Sequence, residues 1–332
     1  MRRRDFAIGL LLASVTPALA EERAKGHRIA IVVAAGPVAG ISDTGVRVWQ
    51  AFFAELRRMG DVEGQNLTIE RYSGEGRPGD FAALAREVVS GHPEAIVAIA
   101  GPITTAVSAA TDTIPIVASG TYTSSGSLPN LARPGGNMTG VRVEEPEIYG
   151  KRLQILKEAV PLAAKVVYLD IRSFWDSEFG KQARDELRKA SQILEISLRD
   201  VLVEESTPSE YQRAFAEIAK DLPDAIIVSS TSELFVYRQL IVELTEKNRL
   251  PAIYPFRDYV DAGGLMAYET DIVELFRRMA DDVHQILTGA NPGDIPIYQP
   301  TKYELLINLK AAKVLGLTIP SALLALVDEV IE

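Results

Sequence analysis

The chain has 332 residues, 47% hydrophobic and 24% charged, with no cysteine; its 35 basic and 45 acidic side chains leave a formal charge of −10. This composition excludes a disordered chain, a disulfide scaffold and a thiol nucleophile. Without a long basic run it also lacks the electrostatic footprint of a nucleic-acid partner.

Residues 1–20 read as an export signal peptide: a basic start at Met1–Arg4, an apolar run from Phe6 to Val15, and the small-x-small site Ala18-Leu19-Ala20 ahead of Glu21. Arg3 and Arg4, followed by Asp5 and Phe6, fit the twin-arginine pattern, with an ordinary secretory leader as the alternative. No later apolar run reaches the roughly 20 residues of a membrane span, and no cysteine can carry a lipid. The expected location is periplasmic, without direct membrane insertion once the leader is removed. About 310 residues then remain, enough for two lobes.

Uncharged, β-branched runs alternate with segments of helical period. Ile29–Ala34 reads as a strand buried on both faces, followed by a helix with Trp49, Phe52, Phe53, Leu56 and Met59 on one side. A strand at Leu67–Tyr72, a helix through Phe81, Leu84 and Val88, a strand at Ala95–Ala100, a helix after Pro102 and a strand at Ile114–Ala118 continue the series. The Gly-, Pro- and Ser-rich stretch 120–140 reads as a loop between two such series. Beyond it, a helix through Tyr149, Leu153 and Leu156 precedes strands at Lys165–Leu169 and Ile196–Val203, with a helix over Asp176–Leu194 between them. Thr207-Pro208-Ser209-Glu210 is a capping box with proline at the first helical position. Further strands fall at Ala225–Val228, Ala252–Tyr254, Leu265–Tyr268 and Tyr303–Leu309, with a helix through Leu234, Tyr237, Ile241 and Leu244 and a long helix from Asp271 to about Thr288. The remainder reads as helical. The fold class is α/β: two doubly wound parallel-sheet lobes joined by a multi-crossover hinge. The expected division is residues 27–141 plus 270–300 for the N-terminal lobe and 142–269 plus 301–332 for the C-terminal lobe.

No catalytic set converges. His27, His92 and His284 read as solvated surface groups, and neither a GxSxG elbow, a P-loop nor a GxGxxG after the first strand is present. Adjacent acids such as Glu144 and Glu145, or Asp281 and Asp282, read as surface charge. No catalytic residue, cofactor or metal ligand is assigned, and the chain is not expected to be an enzyme. Open α/β sheets bind ligands at the carboxyl ends of their strands. There the first lobe offers Thr104, Thr105, Thr121 and Tyr122, and the second offers Arg172, Trp175, Ser230, Thr231 and Arg257. Phe174 and Trp175 would wall an apolar or aromatic solute, and Arg172 or Arg257 would meet a carboxylate.

Six collinear motifs carry a resemblance: the leader MRRRDF, Val62–Asn66 (VEGQN), Thr113–Val117 (TIPIV), Arg133–Val141 (RPGGNxTGV), Ala262–Tyr268 (AGGLMxY), and Gln299–Pro320 (QPTKYELLINLKAAKVLGLTIP). The chain resembles the extracytoplasmic solute-binding proteins of ABC importers, in the subgroup that includes tryptophan-binding relatives. The resemblance implies a periplasmic-binding-protein type I fold whose lobes close on a small-molecule solute, an amino acid or aromatic carboxylate among the candidates. It also implies permease and ATPase subunits on separate chains. Where relatives often carry Asn-Pro after the first strand of the second lobe, this chain has Asp170-Ile171-Arg172. A solute-sensing accessory protein for a membrane receptor, or a secreted enzyme on the same fold, are the alternative functions.

Overall fold

The computed structural model describes residues 26–75, 80–120 and 130–332; the leader and Thr121–Tyr122 lie outside them. The first sheet contains β1 (His27–Val33), β2 (Leu67–Ser73), β3 (Ala95–Ile99), β4 (Ile116–Ser119) and β5 (Met138–Val141), in the spatial order β2-β1-β3-β4-β5 with every pairing parallel. Helices α1 (Arg47–Met59), α2 (Phe81–Ser90) and α3 (Gly101–Ala110) connect its strands. β1 is almost wholly buried because helices cover both sheet faces, which explains its uncharged run.

The second lobe begins with α4 (Glu147–Ala159) and β6 (Lys165–Ile171), then α5 (Arg172–Trp175), α6 (Glu178–Ile193), β7 (Ser197–Val203), α7 (Pro208–Lys220) and β8 (Ala225–Val228). It continues through α8 (Ser232–Val236), α9 (Arg238–Lys247), β9 (Ala252–Tyr254), α10 (Arg257–Asp261) and β10 (Met266–Thr270). After α11 (Ile272–Leu287), the chain supplies β11 (Tyr303–Asn308), α12 (Leu309–Val314), α13 (Ser321–Leu324) and β12 (Glu329–Ile331). The sheet order is β12-β11-β10-β9-β8-β6-β7, and β11 runs antiparallel to β10, so the parallel sheet carries an antiparallel edge.

The hydroxyl of Thr207 accepts the Glu210 N–H at 3.3 Å and caps α7 behind Pro208, as the capping box predicts. β5 begins inside the stretch read as loop, and β12 falls inside the tail read as helix. The single helix expected through Leu234 and Leu244 breaks at Tyr237 into α8 and α9. His284 is also not simply solvated: its Nδ1 lies 2.7 Å from Asp61, tying α11 to the end of α1. Glu144 and Asp282, read as surface charge, are both buried.

Three crossings join the lobes, after β5, after β10 and before β11. They are stapled side by side: Thr270 Oγ1 donates to the Val143 carbonyl at 3.0 Å, and the Arg142 N–H donates to the Tyr298 carbonyl at 2.8 Å. Helix α11 leaves the second sheet to pack on α1, where the Trp49 and Phe276 rings meet edge to face at 5.0 Å.

The buried side of α11 carries one electrostatic cost. Asp282 is buried, its Oδ2 has no partner among the described residues, and burial, with repulsion from Asp281, pushes its carboxyl up to about 8 against the opposing Arg278. A folded-state value above the unfolded one of about 3.9 means that the native chain holds this proton more tightly. Its contribution to stability is therefore complete below about pH 4 and is lost as pH rises through the folded value. In urea unfolding, Asp282→Asn is expected to flatten that decline and to exceed the native protein by about 1–3 kcal/mol on the alkaline side. Identical pH slopes in the two proteins would refute this account.

Candidate functional site

Between the lobes, at the carboxyl ends of the parallel strands, lies a cavity of about 190 Å³. The strand-to-helix turns put it there: successive parallel strands deliver their loops to one edge, and both sheets aim that edge at the crossings. At the first-lobe wall, Ala100 holds φ +85°, a conformation that L residues rarely adopt. Its N–H donates to Ser119 Oγ at 3.2 Å and its carbonyl accepts from Thr104 N–H at 3.0 Å, so hydrogen bonds fix the turn that opens α3. Strain of this kind costs about 1–3 kcal/mol and persists only where the surroundings impose it.

Aromatic rings dominate the lining. Trp49 and Phe276 form a first-lobe wall, with Phe174, Phe179, Phe235 and Phe256 facing them from the second lobe. Ser119, Ser173, Ser230, Thr231 and Ser232 supply hydroxyls. Two carboxyl groups, Glu144 and Glu233, line the cavity, and among the described residues no basic side chain does. At about 190 Å³ it falls below the roughly 300–1,000 Å³ of pockets for drug-sized ligands, which suits a single amino-acid-sized molecule.

The two carboxyls differ. Glu144 sits in the first crossing, 4% exposed, with Oε1 2.6 Å from Nη2 of the fully buried Arg152 and Oε2 accepting from Ser230 Oγ at 2.7 Å. Arg152 also donates from Nε to the Tyr268 carbonyl at 3.0 Å and from Nη2 to the Pro255 carbonyl at 3.3 Å. Glu233, in the first turn of α8, has no cation against it among the described residues, and burial raises its carboxyl above the ordinary range. Behind this wall, burial pushes Asp170 up to about 8 despite the Ile171 N–H that its Oδ1 accepts at 2.8 Å. The Thr231 hydroxyl oxygen is buried without a partner among the described residues.

Of the residues selected from the sequence, the structure brings Ser230 and Thr231 together in the cavity. Thr104 is fully buried and its hydroxyl turns back to the Ala98 carbonyl at 3.4 Å, while Thr105 is exposed on α3 outside the lining. Arg172 projects outward to Glu204 at 3.1 Å. Trp175 packs into the core beside Tyr168, with the Arg184 guanidinium 4.4 Å from its ring centre. Arg257 is engaged by both Glu329 oxygens at 2.5 Å and by Asp261 at 3.4 Å. The carboxylate partner expected at Arg172 or Arg257 is therefore not at the cavity. Glu144, Glu233, Trp49 and Phe256, not among the selected contacts although Glu233 and Phe256 stand in the strand-end loops, line it. The aromatic at the start of α1 was the available signal for Trp49; a charge in a crossover gave none for Glu144.

Two α/β lobes, three crossings and a cleft at the strand ends define a two-lobed solute-binding protein of the periplasmic-binding-protein type I class. Solved structures share this fold. A conserved domain protein from Vibrio cholerae matches with a TM-score of 0.79 at 24% identity, over 92% of this chain and 100% of the other. An ABC domain from Streptococcus pneumonia in complex with L-Trp matches with a TM-score of 0.78 at 21% identity, over 92% and 100%. The chain belongs to the ABC transporter substrate binding protein family, whose sequence model it matches over residues 43–331. It is also 23% identical, over 81% of its length and 76% of the relative's, to a tyrosine-binding protein of Clostridioides difficile (strain R20291).

Proposed function

We propose that this chain is the periplasmic solute-binding component of an ABC importer and that its solute is a small aromatic molecule carrying an ammonium group, of the amino-acid kind. The carrying observation is Glu233, a half-buried carboxyl without a counter-charge among the described residues, in a cavity walled by aromatic rings. A charge held partly out of water is costly unless paired, and a ligand ammonium supplies the missing partner while its ring takes the apolar wall. The tyrosine-binding relative and the L-Trp complex support the same size and chemistry. The lobes, 27–141 with 270–300 and 142–269 with 301–332, close on the solute because only the shut form contacts it from both sides. Permease and ATPase subunits on separate chains would then receive it.

Calorimetric titration with L-tyrosine and L-tryptophan tests this reading. Glu233→Gln is expected to weaken binding by at least about tenfold, the loss of one charge-assisted contact. Binding also carries a pH signature. The empty site holds Glu233 above its ordinary value, and an ammonium partner would lower it, so binding expels a proton and affinity rises with pH through that titration. The Gln variant should lose the slope. Unchanged affinity in Glu233→Gln for a bound amine would overturn the proposal.

A further inference from the structure

We propose that Glu144 fixes the hydrogen-bonding polarity of Ser230, so that this point of the cleft wall accepts but cannot donate and selects an aromatic solute whose ring bears its own N–H or O–H. This rests on the amine-bearing aromatic reading above and names the substrate class within it.

Four side chains form one relay. Glu144 is a carboxylate paired with Arg152 at 2.6 Å, and a carboxylate only accepts. Ser230 Oγ lies 2.7 Å from Glu144 Oε2, so the serine proton points at Glu144. Tyr149 OH lies 2.8 Å from the same Oγ; with that proton already committed, Tyr149 is the donor in this contact. Burial raises the Tyr149 phenol well above its ordinary value, which keeps its proton in place. Ser230 thus spends its one hydrogen on Glu144 and one lone pair on Tyr149. The remaining lone pair belongs to a residue that lines the cavity.

Glu233 and Ser230 then divide the work on one wall. The uncompensated charge matches an ammonium. Ser230 is neutral, and its charged neighbour is already neutralised by Arg152, so it matches a neutral donor. A solute of the same shape without that donor leaves the lone pair desolvated and unmet, a larger penalty than the loss of surface contact. Glu144 is a positioning residue here: it acts through the direction of another side chain's hydrogen.

The full chain is titrated calorimetrically with four probes: L-tryptophan, its indole-N-methyl derivative, L-tyrosine and L-phenylalanine. The native protein is expected to prefer each donor-bearing probe over its partner by about tenfold or more. In Glu144→Gln the amide oxygen still accepts from Arg152 while the amide nitrogen donates to Ser230, which turns the serine hydrogen toward the cleft. Both preference ratios should then fall toward one, and Ser230→Ala should collapse them as well. Ratios near one in the native protein, or ratios that survive both substitutions, would overturn the assignment. Equal binding of all four probes sinks this assignment alone, whereas binding of none sinks it together with the reading beneath it.

Discussion

Arg152→Ala is expected to cost about 3–5 kcal/mol of stability and to lower Tm by roughly 10 °C. The guanidinium is fully buried, and its removal strands the Glu144 carboxylate, itself 4% exposed, away from water. It also frees the Tyr268 and Pro255 carbonyls, which sit beside the second crossing and at the end of β9. Such a penalty arises mainly from the partner left behind. A second variant separates this from a simple packing defect: Arg152→Met combined with Glu144→Leu removes both charges and should recover most of the loss in thermal unfolding. Ligand discrimination should stay impaired, because Ser230 no longer has its acceptor. A single Arg152→Ala within about 1 kcal/mol of the native protein would show that this pair does not hold the crossings.

Gly140→Ala is the second large effect. A β-carbon on Gly140 would sit 2.1 Å from the Ala118 carbonyl oxygen and 2.6 Å from its nitrogen, and the residue holds φ +135°. The atoms in the way are backbone of the paired strand β4, so no side chain can swing aside. Backbone strain and overpacking each cost about 1–3 kcal/mol, and here both apply. Pushing β5 off β4 also moves the Gly140 carbonyl that receives the Tyr298 N–H at 2.9 Å, so the third crossing shifts with it. Gly60→Ala serves as the control: φ is +99° there, and nothing lies within 4 Å of the added carbon. Urea unfolding should place Gly140→Ala about 3 kcal/mol or more below the native protein, with Gly60→Ala much closer to it. Similar losses in both variants would mean that steric contact with β4 is not the cause.

The buried strands were legible because burial on two faces writes itself into composition. β8 and the Ile29–Val33 part of β1 are uncharged and rich in β-branched residues, and their neighbours carry the helical period. β5 was not legible: Met138–Val141 is four residues long and sits among the glycines and prolines of a turn-rich stretch. β12 pairs only at an edge and is largely exposed, so it shows neither alternation nor a buried run. For the site, the loops at the strand ends could be named from topology, whereas side-chain direction could not. The single turn of α5 sends Arg172 to solvent, Phe174 to the cavity and Trp175 to the core. Arg257 is claimed by Glu329 in the last strand, a partner with no local signature. Glu144 and Arg152 look like ordinary charges because an ion pair's burial is decided by what packs over it.

The interleaving of the lobes has a further consequence, for biosynthesis. The aromatic side of α1, with Trp49, Phe52 and Phe53, is covered by Phe276 and Met279 of α11, which the ribosome delivers only after β10 of the other lobe. Any nascent or truncated chain that stops before Ile272 leaves a sticky, half-clad first sheet, a target for chaperones and proteases. Neither half can therefore be harvested by cutting the polypeptide once, and a working molecule exists only when translation is nearly finished.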